Sequence, residues 1–81
     1  MDESVRRRVH DLDVTVWVGK AGPEAVVDEL DGQLGDRDLV KLKFLRSARA
    51  GTDVETLAAD LADEVTAEVL DTRGNTAVLR R

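Results

Sequence analysis

Residues 39–46 read LVKLKFLR, and their alternation limits the fold more than any other stretch. Val40, Leu42 and Phe44 project to one side of an extended chain, Lys41 and Lys43 to the other. Such a strand needs an apolar layer on one face and tolerates water on the other. Two flanking segments can supply that layer. Val26, Val27, Leu30 and Leu34 recur at helical spacing after Pro23, a residue suited to the first helical position. Val54, Leu57, Ala58, Leu61 and Val65 form a second stripe, and Thr52 to Glu55 before it reads as a capping box with Thr52 as the cap.

The remaining segments complete an order. Val5, Val9 and Leu12 predict a short helix over residues 3–12. VTVWV (14–18) is β-branched and aromatic, a strand. Residues 66–72 and 76–81 flank Arg73, Gly74 and Asn75 as a terminal hairpin. The succession α-β-α-β-α-β-β predicts one domain over residues 1–81. Its expected fold is an α/β two-layer sandwich, a four-stranded mixed sheet with helices on one face. Val16, Val27, Leu30, Leu34, Val40, Leu42, Leu57, Leu61 and Val65 are expected between the layers. Val14, Val16 and Val18 should face the helices, leaving Thr15 and Trp17 on the open side with Lys41 and Lys43.

Composition narrows the function classes. The chain has no cysteine, hence neither disulfide nor thiolate metal site. No apolar run approaches the ~20 residues of a membrane helix, and MDESVRRR lacks a signal-peptide core. The expectation is a cytoplasmic monomer with no membrane contact. Net charge is −5, with eleven aspartates against six glutamates and nine arginines against three lysines. That balance resembles proteins of salt-loving archaea. Acidity ordinarily argues against nucleic acid, but in a uniformly acidic proteome only local basic patches carry information.

One junction invites a functional reading. Gly19-Lys20-Ala21-Gly22 lies where a strand meets a helix. Glycines let backbone N–H groups face outward, the helix start adds its positive dipole end, and Lys20 adds a mobile cation. A phosphodiester oxygen suits such a place, as in the GxxG loop of KH modules. Taken alone, the four residues fit a plain strand-to-helix turn better, because two glycines at this spacing often occur by chance. Gly22, beside the helix start, is expected to accept aspartate as an N-cap with the fold kept, and to lose some stability if its backbone needs positive φ.

Four separated motifs together resemble the CRM domain (chloroplast RNA splicing and ribosome maturation), in its stand-alone YhbY-like form and of haloarchaeal type. They are His10-Asp11-Leu12, Gly19-Lys20-Ala21-Gly22, Asp38 to Lys43 (DLVKLK) and Gly74 to Arg81 (GNTAVLRR). The resemblance implies a fold similar to the C-terminal domain of translation initiation factor three, with a KH-like loop. It also implies binding to RNA, in stand-alone members the ribosomal RNA of the large-subunit precursor. Departures are Pro23-Glu24, where the family has Leu-Thr-Glu, and Arg80 in place of a tyrosine. His10 also lacks the proline that usually follows it.

The residues expected to touch RNA are Gly19, Lys20, Ala21, Gly22, Lys41, Lys43, Arg46 and Trp17. Trp17 stands either to stack a base or to be covered by neighbouring stems. If RNA binding has been lost, the open face around it suits a protein partner instead. Arg6, Arg7 and Arg8 fan around about 200° of a helix, so one or two can reach phosphate. Arg73, Arg80 and Arg81 form a further modest basic area at the hairpin. No cofactor is expected. His10 lacks partners for metal or catalysis, and Asp28, Asp31, Asp36 and Asp38 follow no calcium-loop spacing. No nucleophile–base pair suggests an enzyme.

Overall fold

A computed structural model describes residues 2–81. The elements follow the expected order: α1 (Glu3–Asp11), β1 (Val14–Val18), a 3-10 turn (Pro23–Val26) running into α2 (Val27–Asp36), β2 (Leu39–Phe44), α3 (Val54–Glu64), β3 (Glu68–Arg73) and β4 (Thr76–Arg80). The sheet order is β1-β2-β4-β3. β1 runs parallel to β2, and both other pairs are antiparallel. Parallel neighbours cannot be joined by a tight turn, so α2 carries the chain back from β1 to β2.

Between the sheet and the α2–α3 layer lies one apolar cluster. Val16, Val18, Val40, Leu42, Phe44, Ala77 and Leu79 meet Leu30 and Leu34 of α2 and Leu57, Ala58, Leu61 and Val65 around α3. Eight of the nine expected core residues are buried; Val27 is half-buried, and Val26 takes its place. The 3-10 turn has three residues per turn, so its phase differs from the helical stripe read across it.

The expected single helical face is corrected for α1. Val9 packs with Leu39 and Val78, joined by Val5, Leu12 and Leu70, in a second cluster on the opposite side of the sheet. Leu39 and Val78 are buried apolar residues on that side, and α1 has one narrow stripe to match them. The remainder of this face stays open.

Two β-bulges reset the alternation. Val14 pairs with Lys41 and Val16 with Leu42, so β1 spends an extra residue, Thr15. Val14 thereby shares the Lys41 face instead of facing the helices. Thr15 leaves the open side as well: its hydroxyl donates to Gln33 Oε1 (2.5 Å), and Gln33 Nε2 donates to the Thr15 carbonyl (3.2 Å). A second bulge between Val69 and Asp71 directs Leu70 toward α1.

The α3 cap also differs from the sequence reading. Thr52 is bonded back to the Arg49 carbonyl, and Asp53 is the N-cap, its Oδ1 accepting the Thr56 N–H at 2.7 Å. That backbone bond, then the Thr56 hydroxyl, holds the Asp53 carboxyl below its ordinary value. A depressed carboxyl stabilises the fold above its unfolded pKa, and the contribution is lost as pH falls through the folded value. Asp53→Ala should lower the thermal midpoint by a few degrees at neutral pH. Asp53→Asn should keep the cap but lose less stability than wild type on acidification below about pH 4. Identical acid profiles for wild type and the asparagine variant would refute this role.

Candidate nucleic-acid interface

Because β1 and β2 are parallel, their C-terminal ends reach the same edge of the sheet. The Leu45 N–H donates to the Val18 carbonyl (2.8 Å), and the Phe44 N–H to the Asn75 carbonyl (2.7 Å). These bonds gather three segments at one end: the GKAG loop, the loop after β2 and the β3–β4 hairpin turn. Within the loop, Gly22 N–H donates to the Gly19 carbonyl at 3.0 Å, closing a turn around Lys20 and Ala21. Neither central residue has positive φ, which fits a type I turn. Both are exposed, and among the described residues their N–H groups donate to no protein acceptor. Two exposed amides without a protein acceptor, beside the Lys20 side chain, have the chemistry to receive an anion.

Gly22 itself is held at φ 86°, ψ 175°, a region open in practice only to glycine. A Cβ there would also lie 2.9 Å from Glu24 Oε2. The positive φ under which aspartate would cost stability at Gly22 is therefore present, and the expectation of a little-changed midpoint is corrected, since any side chain strains this backbone. Glu24 has a second consequence. Its carboxylate sits in the first turn after the loop, where it complements the helix dipole and makes that side of the loop less open to an anion than the Lys20–Ala21 side.

Next to the loop, Trp17 is 55% exposed on the edge strand and pairs across the sheet with Lys43. Lys41 and Lys43 are half-buried, with Thr76 and Val78 opposite them on β4. Arg46 is exposed at the same end. Arg49 is engaged internally, its Nε donating to the Phe44 carbonyl at 3.1 Å. The hairpin arginines divide. Arg80 pairs with Glu68, and Arg81 pairs with Asp31 while donating to the Val65 carbonyl, leaving Arg73 without a carboxylate partner among the described residues. Arg8 pairs with Asp38 at 3.4 Å.

Charge separates by layer. None of the 12 lysines and arginines lies in Pro23–Asp36 or Asp53–Glu64, where Glu24, Asp28, Glu29, Asp31 and Asp36 face water beside Glu55, Asp60, Asp63 and Glu64. The acidic helical layer turns away from a sheet side and loop end that hold Lys20, Lys41, Lys43 and Arg46. Net acidity thus coexists with a sheet side where cations outnumber carboxylates, Lys41, Arg6, Arg7 and Arg73 lying with Glu3 and Asp71. Among the described residues no group of three or more His, Cys, Asp or Glu could hold a metal, and no helix is long and apolar enough to cross a membrane.

A model of the CRS1 / YhbY (CRM) domain matches residues 2–81. The chain belongs to this family. The membership expected from the four motifs holds over the whole described length. This CRM domain is 38% identical over all its 81 residues to a protein of Methanocaldococcus jannaschii named "Probable RNA-binding protein", and spans 60% of that relative's length. The solution structure of a hypothetical Staphylococcus aureus protein, described as a candidate RNA-binding protein, superposes with a TM-score of 0.78 at 26% identity. The alignment covers 96% of this chain and 80% of that one.

Arg6 and Arg7, of which the sequence suggested only that one or two of three arginines reach phosphate, and His10, expected to pack or hydrogen-bond at the helix end, share a concavity with Lys41 and Arg73. The available signal was the i, i+4 spacing of Arg6 and His10 beside the Val9 stripe.

Proposed function

We propose that this CRM domain is a non-catalytic, monomeric, cytoplasmic RNA-binding protein. It grips the RNA backbone at the Lys20–Ala21 side of the GKAG loop and lays adjoining bases against Trp17, with Lys43 and Lys41 beside them and Arg46 at the loop end. Its RNA is the ribosomal RNA of the large-subunit precursor. The separation of charge between layers carries the reading, since it leaves one surface able to meet a polyanion. The family and the descriptions of the two relatives support RNA as the partner. Catalysis is not required, because positioned amides, cations and an indole bind without reacting.

Crosslinking in cells followed by RNA sequencing tests the ribosomal part. Enrichment of large-subunit precursor reads is expected, whereas reads spread over messenger RNAs in proportion to abundance would refute it. For the stacking part, Trp17→Ala should weaken RNA binding by about 1–3 kcal/mol, the usual worth of one stacked base. The fold should be little affected, because the indole is already half in water. A Trp17 variant that keeps full RNA affinity but loses a protein partner would favour a protein-docking role for the open face, on which Trp17 is the largest exposed apolar side chain.

A further inference from the structure

Between α1 and the open side of the sheet lies a cleft of about 480 Å³, a size within the ~300–1,000 Å³ typical of ligand sites. Its apolar lining comes from the buried Val9 on α1 and Val78 on β4. Arg6 and Arg7 from α1, Lys41 from β2 and Arg73 from β3 line it, with His10 on the last turn of α1. Glu3 and Asp71 also line it, so four permanent cations face two carboxylates.

Pairing distinguishes these cations from others. Arg8, Arg80 and Arg81 each hold a carboxylate, whereas Arg6, Arg7, Lys41 and Arg73 form no salt bridge among the described residues. Glu3 and Asp71 share the cleft without a salt bridge to these cations and lower its positive charge without cancelling it. Guanidinium forks without carboxylate partners beside two valines suit a phosphate group bound with its sugar against the apolar side chains. The location fits the same strand of RNA. Lys43 and Lys41 are two residues apart on one strand face, about 7 Å, so the cleft continues the line from Trp17 and Lys43.

We propose that this cleft is a second phosphate-binding subsite, which receives the backbone of an RNA strand after it has crossed Trp17 and Lys43. The inference rests on the RNA-binding reading above, but on residues separate from the GKAG loop. The strand leaves the loop, passes the indole and enters the cleft, where Arg6 and Arg73 approach one phosphate from opposite walls and Lys41 supports it from the sheet.

The test uses anisotropy titrations of a labelled oligouridylate of about a dozen residues, a length exceeding one small binding face. Salt is varied between about 50 and 200 mM. The cleft variant is Arg6→Gln with Arg73→Gln. Arg8→Gln with Arg37→Gln is its control, removing the same charge outside the cleft. Ala21→Asp reports on the loop. Removing two cations that neutralise phosphate on single-stranded RNA should make the log–log salt slope shallower by about 1.4 and reduce affinity about tenfold or more at low salt. The control should retain the wild-type slope. An unchanged slope in the cleft variant, or an equal change in the control, would overturn the subsite. Should Ala21→Asp bind normally while the cleft variant fails, the loop assignment falls and the subsite stands. The reverse pattern sinks the subsite and spares the loop.

Discussion

Ala21→Asp is expected to weaken RNA binding at least about tenfold while the protein melts at the wild-type temperature. Ala21 is exposed, has no positive φ, and occupies the third position of the GKAG turn, where aspartate is sterically acceptable. The added carboxylate would stand about 4 Å from any phosphate oxygen held by the Lys20 and Ala21 amides. Two unit charges at that separation repel by about 1 kcal/mol in water and about 4 kcal/mol near a protein surface, and 1.4 kcal/mol is tenfold in affinity. Ala21→Asn should stay close to wild type, and Ala21→Lys should bind more tightly. Gly22→Asp should behave differently. It also loses binding, but through the fold, since a non-glycine residue at φ 86° costs about 1–3 kcal/mol. For a domain this size each kcal/mol lowers the midpoint by about 4–8 °C. Equal RNA affinities for the Ala21 aspartate, asparagine and lysine variants would remove the loop from the interface.

The contrast between those two glycine-loop positions shows what could be read in advance. Alternation in LVKLKF placed Val40, Leu42 and Phe44 in the core and Lys41 and Lys43 opposite, because a strand has only two sides. The stripes of α2 from Leu30 on and of α3 were legible because residues three and four apart share one helix face. The bulge at Thr15 was not, because one extra residue leaves no mark in a run of β-branched side chains, and it changed the faces of both Val14 and Thr15. Nor could the sequence say which side of the sheet α1 covers. That choice depends on Leu39 and Val78 meeting in one apolar patch, a proximity set by the antiparallel register of β4 beside β2. The cleft follows from that placement, so Arg6, Arg7 and Arg73 came together only in three dimensions. Four motifs in register did reveal the family, and GKAG did mark a loop. Which of its amides are free depended on the bond from Gly22 to Gly19.

Phe44→Ala should cost about 3–5 kcal/mol, the usual loss for deleting a buried aromatic. A domain of this length is expected to have only about 4–12 kcal/mol in total, so no other substitution considered should be as damaging. Phe44 is fully buried at the end of β2, the largest of the fully buried side chains. Its main chain joins the functional end together: the N–H holds the hairpin through Asn75, and the carbonyl holds the following loop through Arg49. The void would open beneath the segments that present Lys20, Arg46 and Arg73, so RNA affinity should fall even where the variant remains folded. Phe44→Leu refills most of the volume and should lose distinctly less stability, about 1–2 kcal/mol, with RNA binding near wild type. Urea denaturation with an unchanged m-value would isolate the stability term, and amide exchange at Gly19 to Gly22 would report the loosening directly. If Phe44→Ala loses under about 1 kcal/mol, or exchange at the loop stays at the wild-type rate, the loops do not depend on this side chain for their position.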